Sequence, residues 1–125
     1  MTHTTAVRNA LADLVVDRLD QGTGAAHGHL EILGADYGVL ATLDLSNPAF
    51  GAATGGVATA NAIASALASA TGIATMFRLR DRDDVLVLSG TVTATGGGGE
   101  VTLSSTSVFA GDTVNVTAAQ YTAPA

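Results

Sequence analysis

The amino-acid sequence predicts a mainly β fold, an immunoglobulin-like or jelly-roll-like antiparallel sandwich of about seven strands with one N-terminal amphipathic helix. Three observations carry the prediction. Short β-branched and alternating runs recur with turn signals every 8 to 12 residues or so, the spacing of sandwich folds. Only one stretch, near the start, has helical periodicity. The third is a hairpin pattern from Ile73 to Thr93, where Phe77 and Leu79 alternate with Met76 and Arg78 and a β-branched run follows at Val85. Between those two runs stands Asp81-Arg82-Asp83-Asp84, four charges that are costly to bury and so mark a solvent-facing tip.

The helix is predicted over residues 5–20, capped by Thr4 or Thr5. Val7, Leu11, Leu14, Val15 and Leu19 recur at spacings of three and four and define an apolar face, while Arg8, Asp13, Asp17 and Asp20 lie elsewhere. Gly22 is placed to close the helix in the left-handed conformation. The apolar face either covers one side of the sandwich or docks on a partner, and its five residues are the candidate interaction face.

The sandwich is predicted over residues 28–122. Leu30 and Ile32 share a face of a first strand, and Gly34 to Gly38 is a turn. From Val39 to Leu45 one face is apolar throughout, until Ser46-Asn47-Pro48 breaks the strand. Phe50 anchors the next loop. Alternation from Val57 predicts a strand to about Ala64, then a loop to Gly72. Four glycines, Gly96 to Gly99, predict a flexible connection because they cost much entropy to order. Strands follow over Glu100 to Ser104, with Val101 and Leu103 inward, and over Thr113 to Tyr121. The tail from Ala123 to Ala125 is expected to fray.

Composition narrows the function. A chain of 125 residues makes one domain, and 47% hydrophobic residues with only 4% aromatics and no Trp predict a thin core rich in Ala. A thin core favours a homo-oligomer, in which neighbours supply burial. The net charge is −6, and the five basic residues, all Arg, form no stripe that would neutralise phosphates, so nucleic acid is not an expected partner. No run approaches the roughly 20 apolar residues of a membrane helix, and no basic flank with an apolar run resembles a signal peptide. The expectation is a soluble chain made in the cytoplasm, with no membrane partner.

Candidate chemistry is sparse. His27-Gly28-His29 places two imidazoles near each other, but the chain has no Cys and only His3 besides. Asp81, Asp83 and Asp84 offer oxygen ligands, yet Arg80 and Arg82 interleave and would compete for them. The glycine run lacks the Lys and Ser/Thr of a phosphate loop and precedes a strand. No Ser lies in a nucleophile elbow. Asn115-Val116-Thr117 matches the glycosylation pattern and reads as strand alternation. No catalytic residue, cofactor or metal site is expected.

Several segments carry a resemblance: Thr5-Ala6-Val7-Arg8-Asn9-Ala10, Leu45-Ser46-Asn47-Pro48-Ala49-Phe50-Gly51, Ala60-Asn61-Ala62-Ile63, Ala70-Thr71-Gly72 leading to Phe77-Arg78, and Gly90-Thr91-Val92. Through them the chain resembles small virion structural proteins of tailed bacteriophages, departing over His29 to Asp36, where it is shorter and lacks a Pro-containing loop. The resemblance implies a non-enzymatic virion protein, a capsid decoration (cement) protein on the outer head surface, made in the bacterial cytoplasm. Its partners would be the major capsid protein or other virion proteins and its own copies, with a trimer as the candidate state. The alternative it leaves open is a tail- or head-fibre module that recognises a host surface glycan.

Overall fold

The computed structural model describes residues 1–125. Helix α1 spans Thr5–Asp17, and the Thr4 hydroxyl accepts a hydrogen bond from the Val7 N–H, the arrangement of a helix N-cap. A 3-10 turn, Arg18–Asp20, continues it. Eleven strands follow: β1 His29–Leu33, β2 Val39–Asp44, β3 Val57–Thr59, β4 Ala66–Leu67, β5 Gly72–Ile73, β6 Met76–Arg80, β7 Leu86–Ala94, β8 Val101–Leu103, β9 Ser107–Val108, β10 Thr113–Val114 and β11 Val116–Thr122. Seven of them make one sheet in the order β2-β1-β6-β7-β8-β11-β3, and β10-β4 and β5-β9 form two short ladders beside it.

The mainly β fold with one N-terminal helix is what the sequence predicts, and the β6–β7 hairpin lies at the centre of the sheet. Register explains why its alternation is so regular. Leu43, Leu30, Leu79 and Leu88 stand opposite one another across β2, β1, β6 and β7, and so do Ala41, Ile32, Phe77 and Gly90. These rows build the core side. The intervening rows, Thr42-Glu31-Arg78-Ser89 among them, turn outward. Gly90 is needed in its row because a Cβ there would lie 2.7 Å from the Phe77 ring.

The core is one cluster of 23 buried residues reaching from Ala12, Val16 and Leu19 of the helical segment to Val108, Val114 and Ala123. Alanine is its commonest member, the Ala-rich composition the sequence predicts.

Several local expectations are corrected. All pairings in the large sheet are antiparallel except β7–β8, which run parallel with Val92, Thr93 and Ala94 opposite Val101, Thr102 and Leu103. Parallel neighbours usually need a crossover of a dozen residues or more. Here the glycine run makes the return in six. It is ordered: Gly97 N–H donates to the Ala94 carbonyl, Gly99 N–H to the Thr93 hydroxyl, and Gly96 and Gly98 both have φ of 87°. The glycines serve left-handed geometry and close approach, since a Cβ on Gly99 would lie 2.9 Å from the Thr91 carbonyl oxygen.

The strand from Val57 ends at Thr59, not near Ala64, because the chain leaves to cross the molecule. Ala60 N–H donates to Ala119 at one edge of the sheet, and Ala64 and Ser69 N–H donate to Asp44 and Leu40 at the other. The stretch expected to be loop to Gly72 holds β4 within it. The run from Thr113 divides at Asn115, because β10 pairs with β4 whereas β11 pairs with β8 and β3.

The C-terminal tail is held where fraying was expected. Ala123 is buried, its N–H donates to the Gly56 carbonyl, and its own carbonyl accepts from Arg8. His3 Nδ1 lies 3.0 Å from the Ala125 carbonyl oxygen, which brings residues 3 and 125 together.

Candidate interaction surface

The helix packs on its own domain through two kinds of side chain. Ala12, Val16 and Leu19 are buried and Leu11 is packed against them. Beside them, Asn9, Asp13 and Asp20 share a stripe at helical spacing and accept backbone N–H groups from the segment after β2: Asn9 from Gly56 at 2.7 Å, Asp13 from Ala53 at 2.7 Å and Asp20 from Ala49 at 2.9 Å. The sequence places Asp13 and Asp20 off the apolar face and gives Asn9 no role. All three instead satisfy the N–H groups of Ala49, Ala53 and Gly56 in that segment. Burial pushes the Asp20 carboxyl above its ordinary value, the Ala49 N–H opposes this, and Asp17 nearby adds to it.

The five residues of the predicted interaction face therefore separate. Leu19 is fully buried and Leu11 largely so. Val15 is half-buried, while Val7 and Leu14 are exposed, Leu14 by 64%. The apolar face is wider than one layer of contacts can cover, and its outer edge stays free. Leu14 and Val15 together with Val85, Leu86 and Val87 line a shallow cleft of about 500 Å³ between the helix and the β6–β7 hairpin, rimmed by Arg18, Gln21 and Asp81. Val85 and Leu86 are also exposed. The hairpin's contribution to this surface was missed in the sequence, although Val85-Leu86-Val87-Leu88 has more consecutive apolar residues than one buried face needs.

The charged turn is built rather than merely solvated. Asp81 Oδ1 accepts from the N–H groups of Asp83 and Val85 and folds the turn on itself. Asp83 Oδ1 reaches the segment after the helix and accepts from Thr23 N–H at 2.9 Å and Gly24 N–H at 2.7 Å. Those two bonds hold its carboxyl below the usual value. Arg82 completes the clasp by donating to the Ala25 carbonyl. Gly22 follows the end of the helical segment with φ of 115°, the positive φ predicted for it, and it also makes room for Asp83, which a Cβ would meet at 2.8 Å. The turn thus fixes the hairpin against the helix end and shapes the cleft between them.

Arg80 bonds Glu31 at 2.7 Å on the outward face of the sheet, and this carboxylate holds its guanidinium above its ordinary value. Its Nη1 also donates to the Asp84 backbone carbonyl at 3.1 Å, while the Asp84 carboxylate stands 3.8 Å from Nε. His29 Nε2 stands 3.3 Å from Asp44, and the Nδ1 atoms of both His27 and His29 are buried without a hydrogen-bond partner. No group of three or more His, Cys, Asp or Glu is arranged to hold a metal ion.

At the opposite end of β1 and β6 a second set of exposed apolar residues appears: Tyr37, Val39, Leu67, Ile73 and Phe109. Ala110 N–H donates to the Thr71 hydroxyl and ties the loop carrying Phe109 to the approach to β5. Tyr37, at φ of 64°, holds its ring 6.0 Å from the Arg78 guanidinium carbon. No helix is long and apolar enough to cross a membrane. No family model matches the chain, and no curated protein or solved structure matches it significantly.

Proposed function

We propose that this chain is a non-enzymatic structural protein of a tailed-bacteriophage virion, a decoration protein that binds the outer surface of the head. The observation that carries the reading is the apolar cleft at the helix end, where Leu14, Val85 and Leu86 stay exposed on a framework fixed by the Asp83 clasp. A rigid apolar surface rimmed by polar groups is the usual form of a protein docking site. The resemblance to small virion proteins supports the setting, and the Ala-rich core supports assembly with neighbouring copies. The partners in this reading are the major capsid protein and further copies of the chain.

Two measurements test it. Quantifying the chain in purified particles separated into heads and tails should place hundreds of copies with the heads; a few copies in the tail fraction would reject decoration. Replacing Leu14 and Leu86 by Asp should reduce particle binding by at least about fivefold, the loss expected from a docking residue worth more than 1 kcal/mol. The midpoint of unfolding should barely move, because both side chains face solvent.

A second reading, a fibre module that binds a host glycan, is favoured by the exposed Tyr37 ring and by Phe109 at the other end of the molecule. Aromatic faces of this kind stack on sugars. Glycan-array binding lost on Tyr37→Ala would select this reading over decoration.

A further inference from the structure

The large sheet is missing a piece. Strand β7 runs for nine residues, but β8 covers only its last three, Val92 to Ala94. On the far side of β8 lies β11, which pairs with β8 through Val116 to Ala119 and then continues to Thr122. Beside the first half of β7, no strand fills the space between β7 and β11.

Hydrogen-bond directions show which groups face the gap. Val92 N–H donates to the Thr75 carbonyl on the β6 side, so Gly90 and Leu88 point the same way and Thr91 and Ser89 point the other. Thr91 N–H accordingly meets the Glu100 carboxylate at 3.1 Å. Across the gap, the Ala119 carbonyl and Ala123 N–H bond toward β3, which turns Gln120 and Thr122 away from it; Gln120 N–H meets the Glu100 carbonyl. Glu100 thus closes the head of the gap. Below it Ser89 and Thr122 present unused ladder groups to each other, and both residues are exposed.

The gap is one strand wide. Where β8 sits between β7 and β11, they lie two strand spacings apart, roughly 9–10 Å. Just beyond, that space is a cleft of about 360 Å³ whose floor is Phe50, Phe77, Leu79, Leu88 and Tyr121.

We propose that this gap is a binding site for an extended peptide segment of a partner chain, which completes the sheet by strand addition. The unfilled ladders on both sides ask for a backbone and not for a compact ligand. The floor asks for apolar side chains at alternate positions. The Glu100 carboxylate at the closed end favours a cationic group there, a Lys or a free amine. The site does not depend on the partner being a capsid.

The test uses the intact chain, labelled for NMR, and the pentapeptide amide KVTVT as probe. In the free protein the Ser89 and Thr122 amides should exchange with solvent quickly while those of Gly90 and Ala123 exchange slowly. Saturating peptide should shift the resonances of Ser89, Gln120 and Thr122 and slow exchange at Ser89 and Thr122 at least about tenfold. Glu100→Gln should weaken the peptide by about threefold, the scale of an exposed ion pair, and leave its N-acetylated glutamine analogue QVTVT unaffected. Four results would each overturn the proposal: protection of Ser89 and Thr122 equal to that of Gly90 in the free chain; no shifts up to the solubility limit of the peptide; equal binding by the fully N-methylated peptide, which cannot donate to a ladder; or protection that rises with protein concentration alone, which would give the gap to a second copy.

Discussion

Single residues decide this fold where space or charge is tight. Gly90 faces Phe77 across the central ladder, and Gly90→Ala should cost about 1–3 kcal/mol of stability through overpacking, seen as a lowered denaturation midpoint at unchanged slope. Asp83 and Asp20 should respond to acid in opposite senses. The folded-state pKa of Asp83 is lowered, so its stabilisation is complete above the ordinary value of 3.8 and is lost as pH falls through the lower folded value. Asp83→Asn should therefore flatten the acid limb of the stability curve. Asp20 is raised by burial, so its ionised form opposes folding at neutral pH and protonation relieves this on acidification. Asp20→Asn, which keeps an oxygen for the Ala49 N–H, should match or exceed the native stability at pH 7 and lose that advantage below pH 4; urea titrations across pH 2–7 separate the two. The alternation of Leu30, Ile32, Phe77 and Leu79 was legible in the sequence because one buried face imposes a period of two. The clasp made by Asp83 was not, since a carboxylate that accepts two backbone N–H groups from a segment sixty residues away has the same local sequence as a solvated turn.

At the scale of elements, α1 is both a cover and a source of acceptors. Asp13→Ala should destabilise the protein by about 1–3 kcal/mol by leaving the Ala53 N–H without its partner, and Asp13→Asn should restore most of it because an amide oxygen remains. Hydrogen exchange of the 49–56 segment would localise the loss. The helix and the β6–β7 hairpin were readable from periodicity and β-branching. The face of the helix that stays free was not: Val7, Leu11, Leu14, Val15 and Leu19 form one stripe in sequence, and only the packed sheet shows that Leu11 and Leu19 face the core while Leu14 faces outward. The glycine run misled for a related reason. Glycines mark freedom in an isolated chain, but between β7 and β8 that freedom is used to reach one left-handed geometry that other residues enter at a cost.

For the whole molecule, the two exposed apolar sets lie at opposite ends of β1 and β6, with Leu14, Val85 and Leu86 at one end and Tyr37, Ile73 and Phe109 at the other. A head-to-tail interface, as in a trimer, would use a different patch from each copy, whereas a two-fold interface pairs residue i with j and j with i. The long-range parts of the fold were the hardest to read. The crossing from Ala60 to Ser69 ties both edges of the sheet, and the unfilled position beside β7 depends on where a six-residue return ends; neither leaves a local pattern.

The meeting of His3 with Ala125 has a consequence for how the chain is threaded. Because His3 and Ala125 stand side by side, the path of the backbone between them is nearly a closed ring. A short covalent bridge between them would leave every ladder in place while removing from the unfolded chain the configurations in which its ends drift apart. The order in which residues are numbered is then close to arbitrary for the folded object: opened instead at the exposed glycine return, the same ring would begin with β8 and finish with β7.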